Sequence, residues 1–284
     1  MKRLVVTADD FGSAVEVNEA VERAHRDGML TAASLMVGAP AAEDAIARAK
    51  RMPRLRIGLH LVLVEGRPAS PPDRLPDLVG RDGNFRTDMA AMGAAMFFGK
   101  RTREQLHLEI EAQFARFAAS GLTLDHVNTH KHFHLHPTIA GAMLAIGPRF
   151  GMHSVRVPLE PQRILSKIER RGWRVAPLQP LAKAVRRMFR RRGVISPDHV
   201  FGLAWSGHMH AARLRGIIEN LPDGLSEIYL HPATSDHFAG SAPGYDHSGE
   251  LAALTDEKAM TLARKRGISL GGFADFSPAA KIDG

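Results

Sequence analysis

Short apolar runs rich in β-branched residues alternate along this chain with amphipathic stretches of helix length, and this alternation constrains the fold most tightly. LVVTA at 4–8, IGLHLVLV at 57–64, LTLDHVNT at 122–129 and EIYLHPA at 227–233 all read as buried strands. Strands separated by helix-length segments are the pattern of βα units, paired in parallel through crossovers. The spacing predicts strands near 3–8, 31–37, 55–63, 123–129, 153–157, 226–231 and 268–273. Helices are expected near 14–27, 41–51, 102–119, 137–147, 178–191 and 255–266. The class is α/β, with a parallel sheet or barrel wrapped by helices.

The helix at 102–119 carries the clearest signature. Thr102 and Gln105 have capping-box spacing, Leu106, Ile110, Phe114 and Phe117 recur on one face, and Gly121 supplies a stop. RPASPPDRLP (67–76) reads as an irregular loop, and 83–100 as a Met- and Phe-rich excursion. No repeat or low-complexity linker divides the 284 residues, so one domain over 1–284 is expected, with a basic amphipathic insert at about 161–195.

The net charge of +8 belongs almost entirely to that insert. Between Lys167 and Arg192 ten Lys or Arg face one acid, Glu169, which gives +9 and leaves about −1 for the rest of the chain. Nucleic acid is not expected as a partner, because only Trp173 and Phe189 are available there for base stacking. Leu178, Leu181, Ala182, Val185, Met188 and Phe189 share one helical face, and Lys183, Arg186, Arg187, Arg190 and Arg191 occupy others. This pattern suits peripheral contact with an anionic membrane, and equally a core-packed helix with a solvated basic face. The early apolar run is ended by Asp9 and Asp10, too short for a signal peptide, and no stretch approaches a membrane span. A cytoplasmic protein is expected, soluble or peripheral at the inner membrane.

With no cysteine, disulfides, thiolate metal sites and cysteine nucleophiles are excluded together. No GxSxG, GxxxxGK[ST] or GxGxxG occurs, which argues against serine hydrolase, P-loop and dinucleotide enzymes. The chemistry-bearing residues instead gather at strand ends: Asp9 and Asp10 after the first, His60 in GLHLVL, His126 to His136 in HVNTHKHFHLH, and His231 in LHPA. In parallel α/β folds that edge is where active sites form. His130, His132, His134 and His136 alternate, so in extended chain they share a face, although one of them can instead cap the helix that Pro137 starts. An Asp with two His suits a divalent ion and leaves a coordination position open. A histidine-rich surface that only scavenges metal is the plainer alternative. In an adjacent Asp pair, one carboxylate can bind the ion while its neighbour acts as general base.

TADDFG, GLHLVL, THKHFH and LHPA, in this order from residue 7 to residue 233, resemble the YdjC-like carbohydrate deacetylases. GLHLVLVEGRP, DHVNTHKHFHLHP and HVFGLAWSGHM are most similar to the branch named hopanoid biosynthesis-associated protein HpnK. The resemblance implies a distorted (β/α) barrel that removes acetyl groups from N-acetylated sugars with one divalent metal ion, Zn²⁺, Mg²⁺ or Mn²⁺. Asp10, His60 and His130 would hold the ion, Asp9 would activate water, and His231 would protonate the departing amine. Lys131 stands where many relatives have another His. The implied substrate is an N-acetylglucosaminyl hopanoid lipid. Soluble chito-oligosaccharides, or a catalytically idle metal- or membrane-binding scaffold, are the alternatives. His132, His134, Trp205 and Asp236 are candidates for sugar contacts, with His199 as a further one.

Overall fold

β1 (Lys2–Phe11) is buried on both faces from Leu4 to Ala8, as a central parallel strand must be. A computed structural model of the chain describes residues 1–169 and 178–277; Arg170, Arg171, Trp173 and Arg174 of the basic insert lie outside the described residues. β1 pairs in parallel with β2 (Ala32–Leu35) and with β6 (Gly224–Leu230). β3 (Arg56–Leu61) and β4 (Leu124–Thr129) extend the sheet beyond β2, and β5 (His199–Phe201) extends it beyond β6. The order is β4-β3-β2-β1-β6-β5, and the short β7 (Ser269–Leu270) also pairs with β1. The parallel sheet curls into a distorted, incomplete barrel with helices outside, as expected from the alternation.

Between β4 and β5 the barrel is bridged but not closed by a ladder. Residues 153–157, expected as a strand, make only single parallel bridges, Val127 to Val155 and Ser154 to Ile195. Pro158 has no N–H to continue the pairing. The segment still places Arg156 inward, where it is fully buried.

The expected helices appear as α1 (Val15–Asp27), α2 (Ala42–Lys50), α4 (Lys100–Ala119), α5 (Pro137–Ile146), α7 (Gln179–Arg190) and α10 (Glu257–Lys265). Four more lie among the described residues: α3 (Met89–Phe98), α6 (Gln162–Ile168), α8 (Ala211–Glu219) and α9 (His247–Leu254). α3 is apolar all round and offers no stripe to read; α8 and α9 are short and each contains glycine, which lowers intrinsic helicity.

α4 starts at Lys100 after Gly99 with no side-chain cap, so the expected Thr102/Gln105 capping box does not form. Gln105 is buried instead, accepting the Asp77 N–H at 2.9 Å and donating to the Asp77 carboxylate at 2.8 Å. Leu106, Ile110, Phe114 and Phe117 are buried as expected, and Gly121 follows the helix in the left-handed region at φ 74°. Beside that apolar stripe runs a polar one. Glu109 takes the N–H groups of Ala69 and Ser70 at 2.7 and 2.9 Å, and Gln113 brackets Val62. These bonds tie the loop after β3 across the sheet edge. Among the described residues, no helix is long and apolar enough to cross a membrane.

Candidate metal centre and active site

The strand ends do converge. Asp10 lies next to the last residue of β1, His60 next to the last residue of β3, His130 follows β4 and His231 follows β6, all on the C-terminal rim of the sheet. β1 slips register against β2 between Ala8 and Phe11, and Asp10 sits there at φ 61°, a left-handed conformation that Asp tolerates better than most residues. Gly12, at φ 96°, donates its N–H to Asn18 Oδ1 at 2.8 Å, which locks the turn that presents Asp10.

Asp10 Oδ1 lies 3.3 Å from His60 Nε2 and 3.4 Å from His130 Nδ1. One potential ligand atom from each of the three residues lies within 4.8 Å of the others. Asp10 Oδ1 and His60 Nε2 are buried and have no hydrogen-bond partner. Such atoms are costly to leave alone, and a carboxylate with two imidazoles is a fitting donor set for a divalent cation. These three residues therefore fit a cation. Burial pushes the Asp10 carboxyl up, but His130 and His60 outweigh it and hold the pKa well below the usual range.

Asp9 is directed to the other side of the strand end. Its Oδ1 accepts from Asn128 Nδ2 at 3.1 Å and from Arg156 Nη2 at 3.0 Å, while Arg156 Nη1 bonds Oδ2. The same guanidinium bonds Glu227 at 2.7 and 2.9 Å and lies 4.4 Å over the Tyr229 ring. Burial raises the Asp9 carboxyl, yet Arg156, with His60 and His231, brings it below the ordinary carboxylate range. Asp9 is thus ionised at neutral pH, and the same pairing limits its basicity. Sequence reading missed Arg156 because nothing in HSVRVPL distinguishes it from a surface arginine.

The alternating histidines do not share one face. Residues 130–135 form a 3-10 turn in which Lys131 and His132 both have φ 54°, so each ring leaves in a different direction. His130 joins Asp10. His132 Nε2 meets Tyr229 Oη at 2.9 Å, and burial, with Arg156 nearby, pushes its pKa well down. His134 is buried against Thr129 Oγ1 at 2.7 Å, and burial pushes its pKa down to about 3. His136 occupies the cap position of α5 without a side-chain capping bond. Lys131 pairs with Glu65 in the loop after β3.

His231 lies with Nδ1 3.9 Å from Glu250, whose carboxylate accepts the backbone N–H of His231, and burial lowers the imidazole pKa. Burial raises the Glu250 pKa to about 7. Trp205 is buried, with the Arg213 guanidinium 5.4 Å from its ring centre. Asp236 accepts Ser248 N and Oγ at 2.8 and 2.9 Å at the start of α9. His199 opens β5 opposite Ser226, toward the N-terminal edge and away from the rim.

The profile of the YdjC-like protein family matches residues 3–265. The chain belongs to this family. A carbohydrate deacetylase of Brevibacillus brevis is 30% identical over 277 residues, covering 96% of this chain and 99% of its own length. Another from Geobacillus stearothermophilus is 31% identical over 276 residues, with 96% and 97% covered. Among solved structures, a putative cellobiose-phosphate cleavage protein of Enterococcus faecalis V583 superposes with a TM-score of 0.77 at 23% identity, covering 97% of this chain and 99% of that one. That likeness concerns the fold of this YdjC-like chain.

Proposed function

We propose that this YdjC-like protein is a carbohydrate deacetylase that hydrolyses the N-acetyl group of a lipid-linked amino sugar, with an N-acetylglucosaminyl hopanoid as the substrate. The observation that carries the chemistry is the Asp10/His60/His130 cluster beside an ionised Asp9 held by Arg156 and Asn128. Asp10, His60 and His130 hold a divalent cation, with Zn²⁺, Mg²⁺ and Mn²⁺ all compatible with the donor set. When bound, such an ion polarises the acetamide carbonyl and acidifies water. Asp9 accepts the proton that water loses as its oxygen attacks the acyl carbon. His231 delivers a proton to the nitrogen as the C–N bond breaks, leaving acetate and a free amine.

The lipid part of the reading rests on what lies beside the rim. A pocket of about 190 Å³ is lined by Phe133, Leu135, Pro158, Leu178 and Leu203 together with the polar side chains of Lys131, His132, His136 and Gln179. Phe97 packs on His136, which lines the same pocket, and Phe97, Phe98, Leu178 and Leu181 are exposed. α7 buries Ala182, Val185 and Phe189 and spends Arg186 and Arg190 on the turn at 196–198. Lys183, Arg187 and Arg191 remain as a basic face suited to an anionic bilayer.

Acetate release from an N-acetylglucosaminyl bacteriohopane lipid and from diacetylchitobiose, each with added metal and with chelator, tests both parts. Chelator-sensitive release from the lipid is expected. Release from chitobiose alone would keep the reaction and discard the lipid; release from neither, with metal bound, would overturn the reading.

A further inference from the structure

Behind the cation cluster lies a buried polar chain that the deacetylation chemistry does not use. Asn128 is fully buried, and its side-chain amide makes three contacts. Oδ1 is 2.6 Å from His60 Nδ1, while Nδ2 donates to Asp9 at 3.1 Å and to Ser34 Oγ at 2.8 Å. Ser34 Oγ is 3.0 Å from His126 Nε2, and His126 Nδ1 is 2.9 Å from Asp125. Asp125 also accepts the N–H groups of Phe273 and Ala274 at 3.1 and 2.8 Å.

The direction of every bond follows from the two ends. Asp125 takes donors only, so a neutral His126 gives its Nδ1–H to Asp125 and keeps Nε2 as an acceptor. Ser34 accepts from Asn128, so its single proton goes to His126 Nε2. Asn128 then presents its oxygen to His60, which answers with Nδ1–H; in the neutral imidazole Nε2 is then the lone-pair atom, 3.3 Å from Asp10. The fold is built around this line. Ser34 pairs with Gly58 and His60 with Asn128 across β2, β3 and β4. A Cβ at Gly58 would lie 2.4 Å from the His126 ring, so only glycine lets that ring reach across β3 to Ser34. Phe273 stacks on the same ring with centroids 4.6 Å apart.

We infer that Asp125, His126 and Ser34 form a positioning relay that, through Asn128, holds His60 in the Nδ1–H tautomer with Nε2 turned toward Asp10 and His130. Asp9 anchors the Asn128 amide through one N–H at 3.1 Å, and Ser34, backed by His126 and Asp125, anchors it through the other at 2.8 Å. The relay rests on the cation reading above for its purpose and on hydrogen-bond geometry for its existence.

The test separates the two. ¹⁵N-histidine NMR of the metal-free protein at about pH 9, above the ordinary imidazole range, reads the His60 tautomer directly. Zn²⁺ titration by calorimetry reads affinity. Wild type and Ser34→Thr are expected to hold one Nδ1–H tautomer. Ser34→Ala and His126→Phe are expected to give a tautomer mixture and to weaken Zn²⁺ roughly 10- to 100-fold, as loss of outer-shell partners does. A merely structural role would lower thermal stability and leave tautomer and affinity in place, and that result overturns the relay. A single tautomer in wild type that becomes mixed in Ser34→Ala, without Zn²⁺ binding to either, would support the relay and overturn the cation reading alone.

Discussion

The two sides of the rim solve different problems with the same kind of buried polar residue. On the β1–β3–β4 side, Asp10 and His60 keep inward atoms without hydrogen-bond partners, while the residues behind them are fully bonded through Asn128, Ser34 and His126. On the side of β6 and residues 153–160, the acids are split. Arg156 bonds Asp9 and Glu227, while burial lifts Glu160 and Glu250 to about 7. One side is an anionic seat with rigid backing, which suits a cation. The other holds groups whose protonation is finely balanced, which suits proton traffic. The continuous ladder explains the first. The bridged gap between β4 and β5 explains Glu160 on the second side, which bonds the N–H groups of Gly202 and Ala204 where the chain has no strand neighbour.

The sharpest break in this comparison is to empty the anionic seat. Asp10→Asn is expected to abolish measurable Zn²⁺ binding and to cut acetate release on the order of a thousandfold or more, as loss of Lewis-acid assistance requires. Retained activity without bound metal would remove the cation from the reaction.

Asp9→Asn divides the two sides at their seam. Acetate release is expected to fall roughly a hundredfold or more while Zn²⁺ affinity stays within a few-fold, the signature of a lost general base. Equal loss of both would make Asp9 a part of the seat.

Arg156→Met leaves Asp9 and Glu227 buried without their cation and is expected to destabilise the fold by about 3–5 kcal/mol in urea titrations. A loss within 1 kcal/mol would mean that the acid pair is neutralised in some other way.

Glu160 tests the second side by pH. Burial, against the N–H groups of Gly202 and Ala204, raises its carboxyl from 4.5 to about 7. The native state therefore holds the proton longer than the unfolded chain. Its stability is fullest below 4.5 and is lost as pH rises toward 7, by about 3 kcal/mol for a displacement of this size. Glu160→Gln should remove that loss, so its stability relative to wild type should improve from pH 5 to pH 8. An unchanged difference between the two pH values would contradict the buried, pH-balanced environment.

The smallest effect belongs to the surface. Arg187→Gln is expected to weaken binding to anionic phosphatidylserine vesicles by about 1 kcal/mol, roughly fivefold, without changing acetate release from a soluble sugar. Unaltered vesicle binding would assign α7 to packing alone.

The sequence by itself determined the α/β class and the rim, because strand-end position follows from local patterning and a parallel sheet brings all strand ends to one edge; which of the rim residues would hold an ion came from the family resemblance. The sequence also led to the family. Tertiary structure alone decided which way the histidines after β4 point, since two consecutive left-handed residues, Lys131 and His132, turn a run that reads as extended into a 3-10 turn. It alone recruited Arg156 to Asp9, from a residue 147 positions away, and converted Thr102 and Gln105 from an expected cap into buried side chains. These outcomes share one cause: local pattern records which residues are apolar and how often they recur. The partner of a buried polar atom is chosen by distant chain, through desolvation and hydrogen-bond geometry that exist only once the sheet has formed.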